Sequence, residues 1–241
     1  KHHLDFVSEV DRQAEREIVR ELKRAYPGHA ILGEETGASG KTGARFTWVV
    51  DPLDGTHNYL RGIPHFAVSI AQLDHGEPVH AVILDPIRNE IFSASKGDGA
   101  FLNDRRIRVA KRESLDGAML ATGFPYRERR HLDAQLGMTR ELLKRAEDIR
   151  RTGSAALDLA WTAMGRFDGY FETGLKIWDM AAGCLLVREA GGRYGDLTGR
   201  EGLPESGNLV AANHLLAEQI VTAIAPSLTS ELKPIGRASC R

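Results

Sequence analysis

The sequence predicts a two-part α/β molecule, with a helix and an antiparallel sheet in residues 1–114 and a mixed, alternating α/β arrangement in residues 115–241. Three observations carry this reading. A helical apolar repeat opens the chain, short apolar runs separated by turn signals follow as far as residue 109, and beyond Leu115 most of the apolar spacing changes from strand-like to helical.

The opening helix is read over residues 8–25, where Val10, Ala14, Ile18, Leu22 and Ala25 fall at helical spacing. Ser8 and Asp11 resemble a capping box in front of it, and Pro27-Gly28 ends it. Residues 30–33 and 46–50 read as strands, and the glycine-rich TGASGKTGA between them as an exposed loop. Runs at 66–73, 79–84 and 90–94, broken by DHGE and DPIRN, form an antiparallel meander that 100–102 and 107–109 extend. In the second part 119–122, 170–171 and 209–211 read as strands, and 132–146, 155–164, 180–190 and 215–224 as helices. No Pro/Ser-rich linker separates the parts, and only the tail from about Ser227 is loosely specified.

Composition excludes several function classes. Lys+Arg 32 against Asp+Glu 33 leaves a net charge of -1, so no global basic field draws the chain to nucleic acid or anionic lipid. With 42% hydrophobic and 27% charged residues the chain can build a real core. No apolar run approaches the ~18 residues of a membrane span, and KHHLDF does not begin a secretion signal. Cys184 and Cys240 have no metal-finger or CxxC spacing, so the expectation is a reducing cytoplasm and no disulfide.

The informative residues are acidic and stand at strand ends or a helix start: Glu34-Glu35 in ILGEE, Asp51 and Asp54 in WVVDPLDGT, and Asp179 in IWDMAAG. Pro52 is expected to stop the strand and force a turn, and Gly55-Thr56 frees backbone N–H groups beside a second carboxylate. Such a turn can place two carboxylates and the Leu53 carbonyl around one hard cation, with the Gly55 and Thr56 amides on a phosphate oxygen. Taken singly, each feature has a plainer reading: a turn former at DPLDG, a solvated Glu34-Glu35 loop, an acid near a helix N-terminus at Asp179.

Together, and in this order, GEE, DPLDGT and WDMAAG resemble the inositol monophosphatase family of Mg²⁺-dependent, lithium-sensitive sugar phosphatases. DFVSEVD, PHFAVSIA, DGAMLATGFPY, RRTGSAALDLAW and GYFETGLKIWD agree with its bacterial, extragenic-suppressor branch, so the resemblance covers nearly the whole chain. It implies a layered αβαβα sugar-phosphatase fold with the metal cluster between the two parts. It also implies metal ligation by Glu34, Asp51, the Leu53 carbonyl, Asp54 and Asp179, with two or three Mg²⁺ ions per site, and oxygen-only ligation independently suits Mg²⁺ better than Zn²⁺. Asp11 and Thr56 are the implied pair that orients the attacking water and helps deprotonate it.

On the substrate side the resemblance implies contacts from Asp54, Gly55, Thr56, Arg150, Gly153, Ser154, Ala155, Glu172 and Asp179. Arg150 can equally be one of a solvated pair, and Ser154 a helix cap. Two departures from the family pattern stand out. His57 replaces a second Thr after DGT, and the family's additional helix ahead of DFVSEVD has no counterpart before Lys1, which suggests a truncated start.

The expected function is hydrolysis of myo-inositol-1-phosphate and related polyol phosphates by metal-activated water, in a cytoplasmic homodimer. Two alternatives stay open. One is a related phosphatase acting on fructose-1,6-bisphosphate, histidinol phosphate, NADP or adenosine 3′,5′-bisphosphate. The other is a binding partner of RNA polymerase and its elongation factors in ribosomal RNA synthesis, with Arg127, Arg129, Arg130 and Arg140 as the contact surface.

Overall fold

The computed structural model describes residues 9–125 and 129–232. Helix α1 (Glu9–Ala25) carries Glu9 and Asp11 in its first turn and Lys23 and Arg24 in its last, matching the helix dipole at both ends. Its docking face differs from the apolar stripe read from the sequence. Asp11 and Glu15 are the buried residues, whereas Val10 is 43% exposed. Glu15 is held by the backbone N–H groups of Glu35 at 2.9 Å and Thr36 at 2.8 Å, which satisfy a buried carboxylate that burial alone would penalise. Gly33 makes room for it, since a Cβ there would stand 2.5 Å from the Glu15 carboxyl. Ser8, half of the expected capping box, lies outside the described residues.

The first sheet has eight strands in the order β2-β1-β3-β4-β5-β6-β7-β8. They are β1 (Ala30–Gly33), β2 (Gly37–Gly40), β3 (Phe46–Asp54), β4 (Ala67–Asp74), β5 (Glu77–Asp85), β6 (Glu90–Ser95), β7 (Gly99–Leu102) and β8 (Arg105–Arg106). The meander from β3 to β8 is antiparallel as expected, but β1 pairs parallel with β3, so the sheet is mixed. β2 comes from the glycine-rich segment read as a loop: glycines give it no apolar pattern, yet it folds back on β1 with Gly33 opposite Gly37. Residues 107–109 are not a strand, although Ile107 N–H still reaches the Ala100 carbonyl at 2.9 Å.

Pro52 does not end β3. The strand passes through it in a bulge, with Asp51 opposite Ser69 and Asp54 opposite Ala67, so that Pro52 and Leu53 stand against Val68 alone. A bulge is where a strand tolerates a residue without an N–H, and it re-aims the side chains on either side. A single-turn helix α2 (Thr56–Leu60) follows, too short to show a period in the sequence.

The second sheet is mixed, as expected, in the order β10-β9-β11-β13-β12. Its strands are β9 (Met119–Thr122), β10 (Asp148–Arg150), β11 (Gly169–Glu172), β12 (Arg193–Gly195) and β13 (Leu209–Ala212). β10 and β12 carry too few apolar residues to be read from the sequence.

Helices α3 (Leu132–Leu143) and α6 (His214–Ile224) cover one face of this sheet around Leu120, Met138, Leu142, Phe171 and Ile220. Leu232 in the tail joins that cluster, so order extends further than the tail's composition suggests. Helices α4 (Ala155–Ala163) and α5 (Ile177–Glu189) lie between the sheets in the other core. α5 touches β3, β4, β5 and β6 on one side and β12 and β13 on the other, which is why it is buried continuously from Asp179 to Val187. With α1 against β3, the layers run αβαβα. Among the described residues no helix is long and apolar enough to cross a membrane.

The central helices touch through Gly183, where a Cβ would come within 2.4 Å of the Leu159 side chain. Gly183→Ala is expected to cost about 1–3 kcal/mol through overpacking. Combined with Leu159→Ala it should cost less than the two single losses added, because the truncated side chain vacates the space; urea unfolding of the four variants measures this.

Candidate active site

The parallel pairing of β1 with β3 brings both acidic strand ends to one edge of the sheet. Gly33 lies opposite Val50, and the Glu34 N–H continues the ladder to the Val50 carbonyl at 3.1 Å, so Glu34 comes alongside Asp51. The bulge then turns the chain so that Asp54 returns to the same place, and the first turn of α5 adds Asp179. One oxygen from each of Asp51, Asp54 and Asp179 lies within 4.8 Å of the others.

Each of the three aspartates is fixed by hydrogen bonds of its own, local for Asp51 and Asp179 and long-range for Asp54. Asp51 Oδ1 accepts the Leu53 N–H at 2.9 Å, the short loop that an Asp before Pro favours. Asp179 Oδ2 accepts the Lys176 N–H at 2.6 Å and caps α5. Asp54 Oδ2 accepts the Ser154 hydroxyl and, at 2.7 Å, the Ala156 N–H at the start of α4. Asp51 is 1% exposed. Burial first, and then the charges of Glu34, Asp54 and Asp179, push its carboxyl well above the ordinary carboxylate range, against the pull of the Leu53 N–H.

Asp11 and Thr56 meet across 45 residues of sequence: the Thr56 hydroxyl lies 3.2 Å from Asp11 Oδ1 and 3.0 Å from the Leu53 carbonyl oxygen. Gly55 introduces α2 at φ 94°, a conformation natural to glycine, with the His65 and Gly153 carbonyls 3.1 and 3.3 Å from where a Cβ would be. His57 is exposed.

The loop before α4 closes the site. Ser154 caps α4 as foreseen, its oxygen accepting the Leu157 N–H at 3.3 Å, and its hydroxyl, beyond that reading, donates to Asp54. Gly153 and Ala155 flank it. Glu172 ends β11 and accepts the Tyr170 hydroxyl at 2.5 Å, and burial raises its carboxyl to about 8. Its carboxyl occupies the place where a Cβ on Gly123 would stand.

Arg150 is not brought to this cluster: it is exposed at the end of β10 and paired with Asp148. The neighbouring Arg151 is the arginine whose charge bears on Glu172 and Asp158. Asn58 and Thr152 escaped sequence reasoning, which also leaves Asp158 off the list of site residues. Asn58 donates to the His65 carbonyl at 2.8 Å and the Thr152 carbonyl at 2.9 Å, and buried Asp158 accepts the Thr152 hydroxyl at 2.6 Å. Asn58 follows DGT as an ordinary short-helix residue, so no local pattern marks it; RRTGSAALD held the other two, but only folding shows that they meet.

Three carboxylates and a neighbouring glutamate at one partly buried spot repel one another, and with burial they push the Asp51 carboxyl well above its usual range. An all-oxygen donor set in that state fits a hard divalent cation.

Comparison with known proteins agrees. A family model described as the inositol monophosphatase family matches residues 1–229. A relative from Xylella fastidiosa, named Nus factor SuhB, is 56% identical, over 92% of this chain and 84% of its own length. The crystal structure of extragenic suppressor protein suhB from Bartonella henselae superposes with a TM-score of 0.90 at 43% identity, covering 95% of this chain and 88% of that one. The inositol monophosphatase from Anabaena gives 0.87 at 36% identity, over 92% and 88%. The acidic strand ends, the layered fold and these likenesses lead to one conclusion: the chain belongs to the inositol monophosphatase family of phosphatases.

Proposed function

We propose that the protein hydrolyses phosphate monoesters of polyols, with myo-inositol-1-phosphate as the preferred substrate and Mg²⁺ as the cofactor. The observation that carries this reading is the convergence of Asp51, Asp54 and Asp179 at one spot, where burial and the neighbouring charges push the Asp51 carboxyl well above its ordinary range. Glu34, Asp51, the Leu53 carbonyl, Asp54 and Asp179 would hold two or three ions. Bound there, Mg²⁺ neutralises the ester's charge and acidifies water.

The remaining work falls to the chain's own groups. Thr56, bonded to Asp11, orients the attacking water, and Asp11 takes up its proton. The Gly55 and Thr56 amides hold phosphate oxygens. Ser154 keeps Asp54 aimed at the cluster, while the backbone of Gly153 to Ala155, with Glu172, receives the polyol hydroxyls. Arg150 reaches a substrate only by leaving Asp148.

Phosphate release from inositol-1-phosphate, fructose-1,6-bisphosphate, histidinol phosphate and NADP tests the assignment. The expected result is Mg²⁺-dependent, EDTA-abolished and Li⁺-inhibited turnover, fastest on inositol-1-phosphate, by a homodimer in gel filtration. Preference for another ester would replace the substrate and keep the chemistry.

A second reading rests on the Xylella fastidiosa relative's name, Nus factor SuhB. It makes this protein a cytoplasmic partner of RNA polymerase, using the surface at the front of α3. Arg129 and Arg130 are exposed there, Arg130 beside Glu231 at 3.5 Å, and Arg140 is exposed in the last turn of α3, beside Glu141 at 3.8 Å. Arg127 of that surface lies outside the described residues. Co-purification with polymerase that survives Asp51→Asn would support this role as separate from hydrolysis.

A further inference from the structure

The segment from Thr152 to Ala156 reaches the site from the second part of the chain, and two residues outside the reading above hold it there. Thr152 is gripped at both of its polar groups. Its hydroxyl donates to Asp158 Oδ1 at 2.6 Å, and its carbonyl accepts Asn58 Nδ2 at 2.9 Å. Asp158 is 1% exposed, on α4; Asn58 is 6% exposed, on α2. The same Asn58 amide spends its other hydrogen on the His65 carbonyl at 2.8 Å, so neither hydrogen is spare. Gly153 lies so close beneath that a Cβ on it would be 2.9 Å from Asn58 Nδ2, and its φ of 93° turns the chain toward Ser154. One residue further on, Ser154 and the Ala156 N–H bind Asp54.

We infer that Thr152 is a positioning residue: clamped between Asn58 and Asp158, it fixes the Gly153–Ala156 backbone and thereby the polyol side of the substrate site. The inference deepens the proposed function and rests on it for the identity of the substrate, but the clamp itself is a property of the fold. A fixed backbone needs no reorganisation when hydroxyls dock on it, so its looseness is read in substrate binding before it is read in the chemical step. Phosphate esters without ring hydroxyls do not dock on this surface and register the clamp only through the Asp54 bonds, so much less than a polyol ester does.

The test compares Thr152→Val, which keeps the shape and loses the hydroxyl, with Thr152→Ser, which keeps the hydroxyl. Two measurements are made on each full chain. Hydrogen exchange at the Ala156 amide reads the clamp directly. Steady-state kinetics with Mg²⁺ compare inositol-1-phosphate with p-nitrophenyl phosphate. In Thr152→Val we expect about tenfold faster exchange at Ala156 and about a tenfold higher KM for inositol-1-phosphate, the scale of one lost hydrogen bond to a carboxylate. The kcat and the KM for p-nitrophenyl phosphate should stay within about twofold, and Thr152→Ser should restore both readouts. Unchanged exchange in Thr152→Val overturns the clamp, and an equal KM rise for both esters overturns its polyol-side role. Faster exchange in Thr152→Val, with a wild-type enzyme that cleaves p-nitrophenyl phosphate and not inositol-1-phosphate, supports the clamp and removes the substrate assignment instead.

Discussion

Asp51→Asn is expected to lower Mg²⁺-supported phosphate release about 10³-fold or more while making the divalent-free protein more stable. The loss follows from removing an anionic ligand where a bound cation supplies several kcal/mol of transition-state stabilisation, each 1.36 kcal/mol being a factor of ten. The gain follows from geometry: Asp51 is 1% exposed and its charge is opposed by Glu34, Asp54 and Asp179, so an amide of the same shape relieves repulsion and burial together. A rise in melting temperature of about 2–4 °C corresponds to ~1 kcal/mol in a chain of this size.

The sign also appears in pH. A carboxyl whose folded value lies above its ordinary 3.8 binds its proton more tightly in the folded state. Its destabilising contribution is therefore complete above the raised folded value and disappears as pH falls toward 3.8. Divalent-free wild type should gain this increment on acidification, and Asp51→Asn should not. Saturating Mg²⁺ should raise the melting temperature of wild type and leave the variant nearly unmoved. Thermal melts with EDTA and with Mg²⁺ across pH check all of this, and an unchanged activity in Asp51→Asn would remove the metal assignment.

Asp51 also shows why so much of this site was legible in the sequence and why some was not. Acidic residues directly after apolar runs announce carboxylates at a sheet edge, most of the longer strands and the helix starting near Asp179 appear where the spacing put them, and Asp11 and Thr56 pair as the family resemblance implies. Pairing partners are not in the spacing. Nothing local says that β1 runs parallel to β3, the relation that brings Glu34 beside Asp51. Nothing local separates a proline that ends a strand from one absorbed in a bulge, as Pro52 is. β2 was missed because glycine carries no apolar period, and the buried face of α1 because carboxylates rather than alkyl groups do the docking. Arg150 illustrates a further limit: two adjacent arginines are equivalent in the sequence, but in the fold Arg150 pairs with Asp148 and Arg151 faces the acids.

Thr56→Ala should separate chemistry from binding. The hydroxyl it removes lies 3.2 Å from Asp11 Oδ1 and 3.0 Å from the Leu53 carbonyl, between the first helix and the turn that carries the carboxylates. The backbone N–H groups of residues 55 and 56, which we assign to phosphate, remain. If Thr56 and Asp11 act on the attacking water, kcat should fall about 10²–10⁴-fold, the range of a lost acid–base group, with KM within about threefold. Thr56→Ser keeps the hydroxyl and should stay within about tenfold of wild type. Asp11→Asn keeps the shape of the partner and removes its basicity, so it should match Thr56→Ala in kcat. The double variant should be no worse than either single one, because two members of one relay fail together. Steady-state kinetics of the four proteins distinguishes this from the competing role for the same bond, which is to hold the turn against α1. In that case KM for substrate and the Mg²⁺ requirement would rise in Thr56→Ala but little in Asp11→Asn, whose amide oxygen still accepts the Thr56 hydroxyl, Thr56→Ser would stay near wild type, and kcat at saturation would survive in both single variants, which would take Asp11 out of the chemistry.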